Sequence, residues 1–275
     1  MAVSHACDMR IHTGIKLTLL AVASIICNHP AVSSDIDRIL GMVKEKTGYP
    51  AIVSLEPNMS LHSKMNAATK SAPVHVIFLN PQYDGMSNFL VAMQSAMILY
   101  KWANPTRIPK FTVSDDRMNA LAKKVAPGNT GEMLIPGFVQ PLLLQLVSMP
   151  LQIMTSDWLY KEFPGLRDEQ ISYMTADLRE ASRCLSPEVK KIAPKPVFEN
   201  SISMGSAYAL WWSQIEGSQV ALLPYKVMGY LDKGQELLDA LNTIPADNER
   251  WMKVVDAWAK KLGLNGYYQW QFENP

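Results

Sequence analysis

Chemistry in this chain has to come from a small set of side chains. There are five histidines, His5, His12, His29, His62 and His75. A helical zinc site needs two imidazoles at i and i+4, because one turn then brings both lone pairs to one ion. No pair has that spacing, and Cys7, Cys27 and Cys184 stand too far apart to supply thiolates in its place. The sequence therefore predicts no metal and no cofactor. His75 falls in the apolar run Val74–Leu79, and a histidine inside such a strand reads as a hydrogen-bonded structural residue rather than a base.

Nucleophiles fare no better. Ser201-Ile202-Ser203-Met204-Gly205 looks like a nucleophile elbow that has lost its first glycine. That elbow needs a histidine later in the chain, and none follows residue 75. Ser203 and Ser206 read instead as small residues at a helix–helix contact. Cys184 reads as an ordinary buried cysteine. No glycine-rich phosphate loop occurs, and Gly128–Gly131 reads as a turn. Asp115-Asp116 lies at a helix start, where negative charge is favoured in any case. Asp157, Glu162 and Glu216 are not diagnostic, because a glycosidase needs two carboxylates about 5–10 Å apart in a cleft and sequence does not give that distance.

The elements that would position these residues can be read in outline. A helix is expected over 34–47, with Ile36, Ile39, Leu40 and Val43 on one face and Gly48 as its stop. Strands are expected at Ala51–Leu55 and Val74–Leu79. A long helix, Ser87–Trp102, follows, with Leu90, Met93, Met97 and Ile98 sharing a face. Ser114 should cap a short helix running to Val125. Beyond it the pattern is helical, near 138–149, 156–162, 164–184, 197–215, 233–242 and 247–262. Asp247 or Asn248 is expected to cap the last of these. The aromatic tail Gly266–Phe272 should fold back onto the body, because left in water it would be an aggregation liability. Within it Tyr267, Tyr268 and Trp270 are candidates for an interaction patch, since such residues are enriched at binding sites. The fold class that follows is α+β, predominantly helical, with a small sheet in the first 115 residues.

The order helix, strand, strand, long helix over 34–102 resembles the core of small zincin-type metallopeptidases. The segment Asn88–Tyr100 resembles the helix that carries H-E-x-x-H in that family. Aligned on it, Met93 and Met97 fall at the two histidine positions and Gln94 at the glutamate. The resemblance implies a relative that has lost its chemistry. Thioethers are poor zinc ligands, and an amide cannot take a proton from metal-bound water. Asp157–Tyr160, Pro164–Arg167 and the Trp258 helix resemble bacterial proteins of unassigned function.

Composition sets the remaining bounds. The chain has 275 residues, 48% hydrophobic and 19% charged, enough for a substantial core. The net charge is +1, without the concentrated positive field of a duplex-DNA binder, so no nucleic-acid partner is expected. Residues 34–275 read as one globular domain. The segment 1–33 reads as a buried N-terminal helix. Alternatively, its basic region, apolar run Leu17–Cys27 and Ala31-Val32-Ser33 form a signal peptide. The first reading places the protein in the cytoplasm, the second makes it secreted or periplasmic. The run 138–154 carries Gln140, Gln145 and Gln152 and reads as core rather than a membrane span. The functional expectation is a non-catalytic interaction or accessory protein with a protein partner. Two alternatives stand beside it, a peptidase-like hydrolase with an unrecognised catalytic set and a secreted binding protein.

Overall fold

The computed structural model describes residues 30–104, 107–128 and 134–273. The apolar run 17–27, with His5, His12, His29, Cys7 and Cys27, lies outside them. The fold is α+β and mostly helical, with a small sheet near the N-terminus, as the pattern of the sequence predicts. The contacts gather the chain into two compact units. One is built from 109–153 and 174–272, the other from residues up to 108 together with 154–173.

In the unit that ends at residue 108, α1 spans Pro30–Thr47, beginning before the expected residue 34. Ile39 and Val43 are fully buried on the predicted stripe. The helix stops where Gly48 takes φ 77°, a left-handed conformation that glycine adopts without steric cost. Three strands follow, β1 (Ala51–Leu55), β2 (Ser63–Asn66) and β3 (His75–Leu79). They form a sheet of order β1-β3-β2, parallel between β1 and β3 and antiparallel between β2 and β3. The sequence of β2, Ser-Lys-Met-Asn, has no β-branched residue, which is why its pattern does not announce a strand. His75, Ile77 and Leu79 occupy the inner face of the central strand.

Helix α2, Ser87–Lys101, packs on the sheet and on α1. Sequence periodicity predicts one buried face, but every residue from Phe89 to Ala96 is buried. A helix covered on more than one side has no solvated stripe to produce an amphipathic signal. Its N-terminus is capped from a distance. The Glu169 carboxylate accepts the Phe89 backbone N–H at 2.9 Å and the Asn88 side-chain amide at 2.7 Å. A negative charge there also complements the helix dipole.

The other unit begins in β4 (Ile108–Thr112) and continues through α3 (Asp115–Val125), where Ser114 accepts the Arg117 N–H as expected. A π-helical turn, Ile135–Val139, leads into α4 (Gln140–Glu162). The sequence predicts a break at Pro150, yet α4 runs straight through it. Proline costs a helix about 3 kcal/mol by withholding an N–H and crowding the preceding turn. Met149, Leu151, Ile153 and Met154 are all buried, and burying two such side chains already offsets that cost. The Trp251 indole N–H also donates to the Val147 carbonyl at 3.0 Å, one residue past the carbonyl that Pro150 leaves without its usual donor. The window 135–162 is long and apolar enough to cross a membrane by composition alone. About two thirds of its most apolar 18-residue window is buried, and Gln145 and Gln152 are buried too, which is the burial of a core helix.

Helices α5 (Arg167–Arg183), α6 (Pro187–Ile192), α7 (Lys195–Glu216), α8 (Leu223–Val227), α9 (Leu231–Thr243) and α10 (Arg250–Leu262) complete the chain with β5 (Gln269–Glu273). The division between the two units falls inside α4 and inside α5. Helix α6 is absent from the sequence expectation although its signal is present. Ser186 caps it by accepting the Val189 N–H, and Pro187 opens it. Ser206 sits where α7 and α9 come closest, because a side chain at Gly234 would collide with its hydroxyl and with the Ala207 backbone. The expected side-chain cap of α10 is replaced. Glu249 precedes the helix, and Asp247 instead accepts the Glu249 N–H at 2.9 Å in the turn before it.

Candidate functional site

The residues aligned with a metal helix are held by packing. Met93 is fully buried, Gln94 is 4% exposed and Met97 is half-buried. The Gln94 amide donates to the Ser63 hydroxyl of β2 at 2.9 Å. One turn of α2 is thereby fastened to the edge strand of its sheet. Among the described residues no group of three histidine, cysteine or carboxylate side chains could hold a metal ion.

His75 is wholly buried, and both of its ring nitrogens are engaged inside the fold. Nδ1 accepts the Ala68 backbone N–H at 3.0 Å, so the ring proton is on Nε2, which donates to the Thr47 hydroxyl at 3.0 Å. Thr47 in turn donates to the Val43 carbonyl and accepts the Tyr49 N–H, which ties the end of α1 to the sheet. The Trp102 ring meets the imidazole edge-on at 5.0 Å. Burial pulls the His75 pKa from 6.5 down to about 4, so the ring is neutral at pH 7. A neutral histidine with both nitrogens occupied is a structural one.

The unit 109–153 and 174–272 contains a partly open cavity of about 50 Å³. Its walls are mostly apolar, among them Leu142, Val189, Val197 and Ile202, with Cys184 and Tyr225 on its lining. Its polar element is a reciprocal pair. The Gln145 amide donates to the Ser201 carbonyl at 3.1 Å, and the Ser201 hydroxyl donates to Gln145 Oε1 at 2.7 Å. One heptad further along both helices, Gln152 donates to the Tyr208 hydroxyl at 2.7 Å. Two rungs with the same offset fix α4 and α7 side by side, running in the same direction. Tyr225 closes the far wall, its hydroxyl against the α carbon of Gly205, where any side chain would collide. Burial, then the nearby Cys184 and Asp177, raise the Tyr225 pKa, so its phenol keeps its proton. No histidine, carboxylate or cation lines the cavity. It offers a thiol, a phenol, a hydroxyl and an amide, and none of the residues that line it is a histidine or a carboxylate.

The aromatic tail is anchored. β5 pairs with β4, and the Tyr268 ring stacks on Phe111 at 4.6 Å. Tyr268 and Trp270 both donate to Asp256 Oδ1, at 2.6 and 2.9 Å. Tyr268 is 9% exposed, while Tyr267 and Trp270 are half-buried and Phe272 is exposed. Lys124 lies over the Tyr267 ring and bonds the Gly263 carbonyl. The three tail residues singled out in the sequence are thus brought to one corner, but not to the cavity, which is lined instead by Ser201, Ile202 and Gly205 of the elbow-like segment and by Cys184. The heptad-spaced Gln145 and Gln152 inside an apolar run are a further sequence signal that could have pointed to it. Compared with models of known protein families, with characterised proteins and with solved structures, the chain matches none.

Proposed function

We propose that this chain is a non-catalytic interaction protein that acts by binding. The observation that carries the reading is the composition of the cavity. Its walls are mostly apolar, and its buried phenol stays protonated. The neutral, doubly bonded His75 and the Ser63-bound Gln94 support the same reading at the positions where the sequence left room for chemistry. The likeness of 34–102 to a zincin core fits as a degenerate relative. In that reading Met93 fills a core position where the family would carry a ligand.

Turnover and metal content test this. Purified chain should hydrolyse neither chromogenic ester nor peptide substrates, and should carry no stoichiometric zinc. Hydrolysis that disappears in Cys184→Ser, at an unchanged melting temperature, would replace this reading with that of a hydrolase. So would about one zinc per chain that only strong chelators remove.

A further inference from the structure

The turn Ile135–Val139 and helices α4 to α8 all contribute to the wall of the cavity, and all of its lining lies within one unit. Its volume, about 50 Å³, is about four times what a single water requires. That is room for a chain of roughly three to five heavy atoms, and too little for an aromatic ring or a sugar. Because the cavity is partly open, such a chain can enter it without unfolding the wall.

The lining selects the chemistry of the occupant. Leu142, Leu185, Val197, Phe198 and Ile202 offer apolar contact. No lysine, arginine, histidine, aspartate or glutamate is among the lining residues. A carboxylate placed here would lose its hydration with no cation to replace it. The carboxylate that acts on Tyr225, that of Asp177, is buried and off the lining, and it opposes a second anion. Neutral polar atoms remain. An amide carries two N–H groups and two lone pairs, and the pairing with Ser201 uses one of each at Gln145. The Tyr225 hydroxyl, at the wall beside Gly205, donates or accepts. A ligand hydroxyl also does both, so it meets either group without a charge.

We propose that this cavity binds short, uncharged aliphatic alcohols of about three to five carbon atoms. The alkyl chain lies against the apolar wall, and the hydroxyl bonds to the neutral polar atoms of the lining. The proposal rests on the reading of the chain as a protein that acts by binding, and it names the class of ligand. The two fail separately, because ligand titration reports the cavity, whereas turnover and zinc report the chemistry.

Methyl NMR of the full chain, titrated with 1-butanol and with butyrate, tests it. The methyl signals of Leu142, Val197 and Ile202 should shift saturably with 1-butanol, with a dissociation constant in the millimolar range. Those of Ile39, buried in the other unit, should stay in place. Butyrate, which has the same chain length but a charge, should bind at least about tenfold more weakly. Ala181→Leu and Ala193→Leu each place a larger side chain on the lining. Each should weaken 1-butanol binding by about tenfold or more, with a melting temperature that shows the variant folded. No saturable shift of the parent's lining methyls overturns the proposal and leaves a cavity for water alone. Equal binding of butyrate and 1-butanol overturns the chemical class. Undiminished binding in both folded variants would move the site elsewhere in the chain.

Discussion

At His75 and Gln94, the buried polar side chains themselves are bonded within the fold. The imidazole links Thr47 of α1 to the Ala68 backbone, and Gln94 links α2 to β2. Around Gln145 and Ser201, a reciprocal pair fixes two helices but leaves a partly open apolar cavity beside it. The difference teaches where each region can act. A region whose polar side chains are bonded to one another and to its own backbone is stiffened by them and holds them away from a ligand. A region that settles its few polar atoms between helices, and leaves apolar wall exposed, is suited to take up an apolar group. The cavity is about a third of the roughly 150 Å³ that admits a benzene ring, so it suits only a few carbon atoms.

The comparison breaks first at Met93. Met93→Asp should unfold the protein or cost more than about 4 kcal/mol, because it buries a carboxylate with no partner. Met93→Leu, which keeps the volume, should cost under about 1.5 kcal/mol. Equilibrium denaturation of both variants checks this. An aspartate tolerated at 93 would mean that this face of α2 is open, and the region would become the better site.

Deleting Gly266–Pro275 removes β5, the Phe111 stack and both hydrogen bonds to Asp256. A loss of roughly 2–4 kcal/mol is expected, read as a drop of several degrees in melting temperature. An unchanged melt would mark Tyr267, Tyr268 and Trp270 as an interaction patch rather than a structural strap.

His75 gives the third test, through pH. Its folded-state pKa, about 4, lies below the unfolded value of 6.5, so the unfolded chain binds the extra proton first. The contribution of the neutral ring is fully present above pH 6.5 and is lost progressively as pH falls towards 4, by up to about 3 kcal/mol. In His75→Gln this part of the pH dependence should vanish from a series of melts. A variant with the same slope as the parent would show that His75 is not the titrating group.

The smallest effect sharpens the cavity side. A double-mutant cycle of Gln145→Leu and Ser201→Ala should give a coupling of about 1 kcal/mol, as for an ordinary buried hydrogen-bonded pair. No coupling would mean that the rungs do not set the register of α4 and α7.

Much of the fold was legible because its signals are local. Periodicity located α1, α2 and α10, β-branched runs located β1 and β3, and Ser114 marked the start of α3. The sequence also foresaw that His75 would be structural and that the aromatic tail would return to the body. The break predicted at Pro150 did not occur, because proline's cost is local while the burial that outweighs it comes from residues distant in sequence. The N-terminus of α2 is capped by Glu169, about eighty residues away, and no capping motif can show that. Residue types and spacings alone determined the long helices, the strands β1 and β3, and which catalytic motifs are missing. Only the tertiary structure decided that α2 is buried on nearly every side and that Gln145 meets Ser201 beside a cavity. Those are pairings between elements, and a chain's local pattern records the face each element offers but not the neighbour that meets it.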